Sequence, residues 1–222
     1  MTAPMLLIFD CDGVLVDSEM IASRVLAGQL SALGYPITAK QCRERFTGKW
    51  MTDVVNTVRG EGIEVPDDFI DTLKIKDKEA FEQGLEPIPG VMEVVRDLRH
   101  DRCVASSGPI VKMETTLGVT GLLPFFKPHL FSAGMVKQGK PAPDLFLHAA
   151  AAMGRSPEDC LVIEDSTAGV TGAKRAGMRV LGFAGASHAR EVPTYADTLM
   201  RAGAETVFDD MQRLPDLIAA QG

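Results

Sequence analysis

The sequence predicts an α/β fold, a doubly wound parallel sheet with an all-helical domain inserted after its first strand. Short apolar runs that each precede a helix-length segment occupy residues 6–9, 103–105, 161–163 and 180–183. Runs that are apolar on both faces are typical of parallel strands covered by helices on two sides. Residues 18–84 hold no such run but carry several helical patterns, which indicates a separate helical domain.

The predicted elements alternate between strand and helix over most of the chain. After the first strand, apolar residues at helical spacing share one face in 21–33, and helical patterns continue in 51–58 and 67–81. A chain of 222 residues fits a core with a smaller companion, because a typical domain has about 150 residues. We therefore expect an α/β core of residues 1–17 and 85–222 and a helical cap domain of residues 18–84.

The composition argues against several classes of protein. Apolar residues make up 45% of the chain and charged residues 24%, which is typical of a globular protein. The net charge of −7 argues against nucleic-acid and anionic-membrane partners, because it repels polyanions. No apolar run approaches the ~20 residues that cross a bilayer, and no basic signal segment opens the chain, so we expect a cytoplasmic protein. The scattered cysteines predict buried thiols rather than disulfides or a zinc site: Cys11, Cys42, Cys103 and Cys160.

The first predicted strand ends in two carboxylates, Asp10 and Asp12, which are followed by Gly13. Gly13 allows the chain to turn sharply away from the strand. Two like charges this close need a compensating charge, and a divalent cation such as Mg²⁺ prefers hard oxygen ligands. A metal-bound carboxylate would stay ionised and could attack phosphorus. The structural alternative is an ordinary Asp-Gly turn in which Asp10 is a cap.

Three further segments place polar side chains where a predicted strand ends or a helix begins. Ser106 and Ser107 open a helix, which is a favourable place for phosphate oxygens. Lys140 lies between a glycine and a proline, and Glu164 with Asp165 forms a second acidic pair at a strand end. Each segment by itself could be a helix cap or a solvated loop. Because the carboxyl ends of parallel strands meet at one edge of a sheet, together they favour a phosphate site.

These segments resemble the four motifs of the haloacid dehalogenase superfamily. The matching residues are Asp10-x-Asp12-Gly13, Ser106, Gly139-Lys140-Pro141-x-Pro143-Asp144 and Glu164-Asp165-Ser166. The third of these segments, together with Asp17-Ser18-Glu19, is similar to the β-phosphoglucomutase-like branch, which carries a helical cap after the first motif. The resemblance runs from about residue 6 to residue 183 and implies a Rossmann-like core with a helical cap.

The resemblance also implies a role for each motif residue. Asp10 would be the nucleophile that forms an aspartyl-phosphate, and Asp12 would act as general acid and then general base. The implied cofactor is Mg²⁺, bound by Asp10, Asp12 through its backbone carbonyl, Glu164 and Asp165. The transferring phosphate would be bound by Ser106, Ser107, Lys140 and the backbone N–H of Cys11.

The resemblance leaves several activities open. Asp12, Glu164 and Asp165 argue against a dehalogenase, which attacks carbon and needs neither a second aspartate nor a metal. Mutase members of the branch carry a histidine and a lysine where this chain has Ala22 and Pro109, which favours hydrolysis. We expect a Mg²⁺-dependent phosphatase acting on a small sugar or sugar-acid phosphate, such as a 6-phosphogluconate-like ester. The alternatives are a phosphosugar mutase and a non-catalytic sugar-phosphate-binding or receiver-like regulatory protein.

Substrate choice is expected to lie in the helical cap, which would close over the core and exclude water. The candidate recognition segment is a loop of residues 45–50, with substrate contacts from Thr47, Gly48, Lys49 and Trp50. The alternative is that Trp50 packs within the cap and Lys49 is solvated. The expected partner is a small phosphorylated metabolite, with no nucleic acid and no membrane, and the protein is expected to be a monomer or weak dimer.

Overall fold

The computed structural model describes residues 5–46, 49 and 51–220 of the chain. Contacts divide the chain into two compact units. The α/β unit comprises Met1–Asp17 and Glu86–Gly222, and the helical unit comprises Ser18–Leu85.

The α/β unit is built on a six-stranded sheet in which every neighbouring pair of strands is parallel. The strands are β1 Leu6–Phe9, β2 Arg102–Ser106, β3 Leu130–Ser132, β4 Cys160–Glu164, β5 Arg179–Phe183 and β6 Thr206–Phe208. Their order across the sheet is β3-β2-β1-β4-β5-β6. The chain thus builds outwards from β1 in one direction and then returns to its other side with β4. This doubly wound sheet confirms the predicted α/β fold.

Helices cover the sheet because its central strands have no face that can meet water. All four side chains of β1 are fully buried, as the apolar run predicts. The helices of this unit are α5 Val91–Asp97, α6 Ile110–Val119, α7 Asp144–Ala152, α8 Thr167–Arg175, α9 Ser187–Arg190, α10 Tyr195–Ala202 and α11 Leu214–Ala219. Leu6 and Ile8 of β1 pack in one core cluster with Leu145 and Phe146 of α7 and Val170 of α8.

In its described residues, the helical unit has four helices and a core of its own. The helices are α1 Glu19–Ala32, α2 Ala39–Phe46, α3 Met51–Gly60 and α4 Phe69–Gly84. Their apolar faces form one cluster, which includes Leu30 of α1, Phe46 of α2 and Val58 of α3. The predicted helical patterns account for α1, α3 and α4. The sequence did not predict α2, because it is short and polar and buries only Cys42 and Phe46.

Two strands also escaped prediction, β3 and β6. Each has three residues, so neither makes an apolar run long enough to stand out from loop sequence. Both lie at the edges of the sheet, whereas the four predicted strands are the central ones. Among the described residues, no helix is both long and apolar enough to span a bilayer. The four cysteines are buried and free, as predicted.

Candidate active site

The strand order places the candidate site at the carboxyl ends of β1 and β4. These two strands are neighbours, and Phe9 is paired with Ile163. The N–H of Asp10 continues the ladder by donating to the carbonyl oxygen of Ile163 at 2.9 Å. The direction of winding reverses between these strands, and the crevice at such a point is where doubly wound sheets bind ligands.

Three carboxylates meet at this point. One oxygen from each of Asp10, Glu164 and Asp165 lies within 4.8 Å of the other two. All three residues are buried, and Glu164 is 0% exposed. Hard oxygen donors at this separation fit a divalent cation. The structure therefore brings together three of the four residues predicted as metal ligands.

Lys140 provides positive charge within this cluster. Its Nζ lies 2.5 Å from Asp10 Oδ1 and 2.5 Å from Glu164 Oε1, and its side chain is 3% exposed. Burial opposes the charge on Lys140, but Asp10 and then Glu164 outweigh it and hold the pKa of the ammonium above its ordinary value. The sequence predicted that Lys140 binds phosphate. In the structure its ammonium is buried between the carboxylates of Asp10 and Glu164.

The positive charge of Lys140 does not balance the negative charge of all three carboxylates. Burial raises the pKa of the Asp10 carboxyl well above its ordinary value, and Lys140 opposes that rise. The neighbouring carboxylates of Glu164 and Asp165 raise the pKa of Asp10 further. Further positive charge at the three carboxylates would favour the ionised form of Asp10.

Glu164 is held in place by the first turn of α8. Its Oε2 accepts bonds from the Ser166 N–H at 2.7 Å and from the Ser166 hydroxyl at 3.0 Å. The same hydroxyl accepts from the N–H of Gly169 at 3.0 Å and so caps the helix. A Cβ atom on Gly169 would lie 1.7 Å from Glu164 Oε1, so this position has room only for glycine.

Asp165 lies against the turn that follows β1. Gly13 has a φ of +82°, and a Cβ atom there would lie 1.9 Å from Asp165 Oδ2. The turn therefore requires glycine for its conformation and for the close approach of Asp165. His188 of α9 also lies beside Asp165, with its Nε2 3.3 Å from Asp165 Oδ2 and 3.0 Å from the Tyr195 hydroxyl. The sequence did not predict His188, because nothing in its local pattern separates it from an ordinary helical histidine.

The side chains of Asp12 and Asp10 have different surroundings, although the two residues are only two positions apart. Its carboxylate is not part of the cluster of Asp10, Glu164 and Asp165. Instead, Lys112 Nζ of α6 lies 2.9 Å from Asp12 Oδ2. The predicted contact of Asp12 with a metal concerned its backbone carbonyl and stays a prediction.

Lys112 was also missed by the sequence. Pro109 stands where mutases of the branch carry a lysine. Lys112, in the first turn of α6, nevertheless brings an ammonium to Asp12. Lys112 lies about one helical turn beyond the motif position that Pro109 occupies.

The predicted phosphate-binding residues lie around the same edge. Ser106 ends β2, is buried and accepts a bond from the N–H of Gly108 at 3.0 Å. Ser107 follows it and is exposed. Cys11 is buried after β1, and its Sγ lies 3.8 Å from Thr116 Oγ1. Burial, followed by the charges of Asp12 and Asp10, raises the pKa of the Cys11 thiol, so its side chain stays neutral.

The predicted recognition segment 45–50 is only partly described. Thr47, Gly48 and Trp50 lie outside the described residues. Lys49 is exposed, and its Nζ lies 5.9 Å from the centre of the Phe46 ring.

The start of that segment is not a loop, which corrects the prediction. Arg45 and Phe46 form the end of α2. Phe46 is buried in the core of the helical unit, and Arg45 pairs with Glu61 and with the Tyr35 hydroxyl. The apolar ring of Phe46 stabilises the last turn of α2, so the helix continues through this position.

The fold and site together define a hydrolase class in which a parallel sheet presents buried carboxylates and a lysine at its carboxyl edge. Residues 4–177 match the model of the haloacid dehalogenase-like hydrolase family, so the chain belongs to that family. A 6-phosphogluconate phosphatase of Escherichia coli is 31% identical over 218 residues, which cover 96% of this chain and 94% of the relative.

Solved structures agree with this assignment. A haloacid dehalogenase-like protein of Agrobacterium tumefaciens is 42% identical, with a TM-score of 0.85 and 99% of each chain covered. A hydrolase of the same family from Deinococcus radiodurans, solved with bound phosphate and sodium, is 30% identical. Its TM-score is 0.77, and the match covers 98% of this chain and 96% of that one. Family membership predicted from the motifs is therefore confirmed.

The contact between Gly169 and Glu164 can be tested by Gly169→Ala. Alanine favours helices, but its Cβ would collide with the buried carboxylate of Glu164, so we expect a net loss of roughly 1–3 kcal/mol in the free energy of unfolding. Thermal and urea unfolding measure the change. The matched control is Gly118→Ala in α6, where the nearest atom to the new Cβ is 4.0 Å away and stability should not fall. Equal stability of Gly169→Ala and wild type would contradict the described packing.

Proposed function

We propose that this protein is a Mg²⁺-dependent phosphatase that hydrolyses a small phosphate monoester, a sugar or sugar-acid phosphate, through an aspartyl-phosphate on Asp10. The observation that carries the proposal is the separation of the two aspartates that follow β1. Asp10 lies among buried carboxylates and Lys140, whereas the Asp12 carboxylate is paired with Lys112. Asp10 is thus surrounded by groups that suit a nucleophile. Asp12 lies outside that cluster, which suits a residue that transfers protons.

The donor set supports a divalent cation as cofactor. Asp10, Glu164 and Asp165 offer carboxylate oxygens within 4.8 Å of one another, and hard oxygen ligands suit Mg²⁺. Those three residues would hold the ion, with the backbone carbonyl of Asp12 as the predicted fourth protein ligand. When bound, the ion supplies positive charge that offsets the carboxylates and the developing phosphate charge. The raised pKa of Asp10 supports this proposal, since an aspartate nucleophile must be ionised.

In the first step, a carboxylate oxygen of Asp10 attacks the phosphorus of the ester, and the bond between phosphorus and the alcohol oxygen breaks. Asp12 gives its carboxyl proton to the departing oxygen, so the product leaves as a neutral alcohol and Asp12 becomes a carboxylate. Lys140 and the hydroxyl of Ser106 would bind the transferring oxygens, together with Ser107 and the backbone N–H of Cys11.

In the second step, a water molecule attacks the phosphorus of the aspartyl-phosphate. Asp12, now a carboxylate, takes a proton from that water, and the acyl phosphate bond to Asp10 breaks. Inorganic phosphate leaves, and both aspartates return to their starting states. The charges and protons therefore balance, because Asp12 regains from water the proton that it gave to the leaving oxygen, and Asp10 returns to a carboxylate.

The substrate class is proposed from similarity and from charge. The Escherichia coli relative is named for a phosphorylated sugar acid. Lys49 and the undescribed residues Thr47, Gly48 and Trp50 stay the predicted substrate contacts of the helical unit, which would act as a cap. We place the enzyme in the cytoplasm, because four buried free thiols suit a reducing compartment. A monomer or weak dimer stays the expectation for its oligomeric state.

Phosphate release tests the proposed activity. Purified protein with Mg²⁺ is assayed for inorganic phosphate on 6-phosphogluconate, glucose 6-phosphate, fructose 6-phosphate, sorbitol 6-phosphate and p-nitrophenyl phosphate. We expect wild type to release phosphate from at least one sugar ester and Asp10→Asn to release none. A wild type equal to Asp10→Asn on every ester would favour a binding protein, and an isomerised sugar phosphate without free phosphate would favour a mutase.

The assignment of Asp12 predicts a different loss from that of Asp10. Asp12→Ala should reduce kcat on the best sugar phosphate by roughly 10²-fold or more, with KM changed little, because general acid–base catalysis acts in the transition state. Steady-state kinetics measure both constants. The assignment would be wrong if kcat were unchanged.

The cation requirement can be tested by removal and titration. Protein treated with a chelator and then dialysed should lose phosphatase activity and regain it with Mg²⁺ in a saturable way. Asp165→Asn should raise the Mg²⁺ concentration needed for half activation, because it removes one charged ligand. Full activity of the dialysed protein with excess chelator would refute the metal requirement.

A further inference from the structure

The strongest feature that the proposed mechanism leaves unused is the contact between Lys112 and Asp12. The ammonium of Lys112 lies 2.9 Å from Asp12 Oδ2, although the residues are 100 positions apart in the chain. The two side chains are only partly exposed, 30% for Lys112 and 16% for Asp12. A charge-assisted bond in such a sheltered position is stronger than one on an open surface. We propose that Lys112 is a positioning residue that holds Asp12 in the orientation needed for proton transfer, an inference that rests on the proposed function.

The backbone that carries Lys112 is fixed to the sheet. The hydroxyl of Ser106 accepts from the N–H of Gly108 at 3.0 Å, and the hydroxyl of Ser132 donates to the carbonyl of Gly108 at 2.8 Å. These bonds tie the segment before α6 to the ends of β2 and β3. Lys112 is the third residue of α6, so its backbone starts from a firmly held point. A long side chain anchored in this way can restrict the motion of its partner.

The chemistry of Asp12 makes this restriction useful. Asp12 must meet the leaving oxygen in the first step and the attacking water in the second, and a displacement of about 1 Å can cost on the order of 10²-fold in rate. A carboxyl group has two oxygens, so a bond at Oδ2 is compatible with proton transfer through Oδ1. In this role Lys112 exchanges no proton with substrate. It also stabilises the carboxylate that remains once Asp12 has given up its proton.

The two lysines of the site therefore have different roles. Lys140 contacts Asp10 and Glu164 and is almost fully buried, so it belongs to the phosphate and metal side. Lys112 contacts Asp12. A lysine that binds the transferring phosphate should matter for every phosphate ester. A lysine that acts through Asp12 should matter only where the leaving group needs a proton.

Two esters separate these possibilities when kcat/KM is measured, since that ratio reports the step in which Asp10 becomes phosphorylated. The alkyl ester is the best sugar phosphate of the panel above, whose alcohol needs a proton to leave. The aryl ester is p-nitrophenyl phosphate, whose nitrophenolate leaves without one. Lys112→Met keeps the apolar stem and removes the charge.

We expect Lys112→Met to lower kcat/KM for the sugar phosphate by about 10-fold or more and for p-nitrophenyl phosphate by no more than about 3-fold. The loss on the sugar phosphate should lie in kcat rather than KM. Lys112→Arg should recover part of the rate, because a guanidinium also donates to a carboxylate. In the Asp12→Ala background, Lys112→Met should cost little more, since its effect passes through Asp12.

Lys127→Met is the matched control. Lys127 Nζ lies 2.8 Å from Glu114 Oε1 of the same helix α6, but both side chains of this pair are exposed. Its removal should leave both values of kcat/KM unchanged. Circular dichroism and thermal unfolding confirm that each variant is folded, and Lys112→Gln replaces Lys112→Met if the latter is not.

Two results would overturn the role of Lys112 while the phosphatase function stands. Equal losses on both esters would make Lys112 a phosphate-binding residue, and values equal to wild type on both would remove it from the reaction. A wild type that hydrolyses no ester would overturn the proposed function itself, and the role of Lys112 with it.

Discussion

The arrangement of the site depends on how the charge of three buried carboxylates is balanced. Asp10, Glu164 and Asp165 have oxygens within 4.8 Å of one another, and Lys140 bonds to two of them. Removing one partner of such a buried pair costs about 3–5 kcal/mol, so the lysine and the carboxylates depend on each other for their burial. Burial and the charges of Glu164 and Asp165 raise the pKa of Asp10, and Lys140 opposes that rise. A divalent cation, which we propose as cofactor, would add the positive charge that suits three buried carboxylates.

The fold supplies the position for this cluster. Because β4 returns to the open side of β1, the ends of the two strands meet where the helices diverge to opposite faces of the sheet. Strand pairing carries Asp10 level with Glu164, and Ser166 with Gly169 then fixes Glu164 from the next helix. The fully apolar strand before Asp10 contributes no chemistry, but its burial on both faces holds Asp10, the proposed nucleophile, at a defined point. The same short strand therefore contributes to the core and fixes the position of Asp10.

The parts of the structure that could be predicted are those with a local signal. The four central strands are apolar on both faces, and the motif residues Asp10, Lys140 and Glu164 lie directly at strand ends or between glycine and proline. The edge strands β3 and β6 are too short to give a pattern, and α2 buries too few residues. Lys112 and His188 were missed for another reason. Their sequence context is that of ordinary helical residues, and only long-range packing brings them to Asp12 and Asp165.

The different contacts of Asp10 and Asp12 suit the opposite purposes that we propose for these two aspartates. A nucleophile must be a carboxylate when substrate arrives, whereas a general acid must carry a proton at the same moment. After β1 the two side chains have different partners: Asp10 lies against Lys140, and Asp12 lies against Lys112 of α6. If both carboxylates shared one cation and one lysine, their protonation would be coupled and the two roles would compete. In the proposed mechanism, separate lysine partners on separate elements let each aspartate be oriented by its own contact, Lys140 for Asp10 and Lys112 for Asp12.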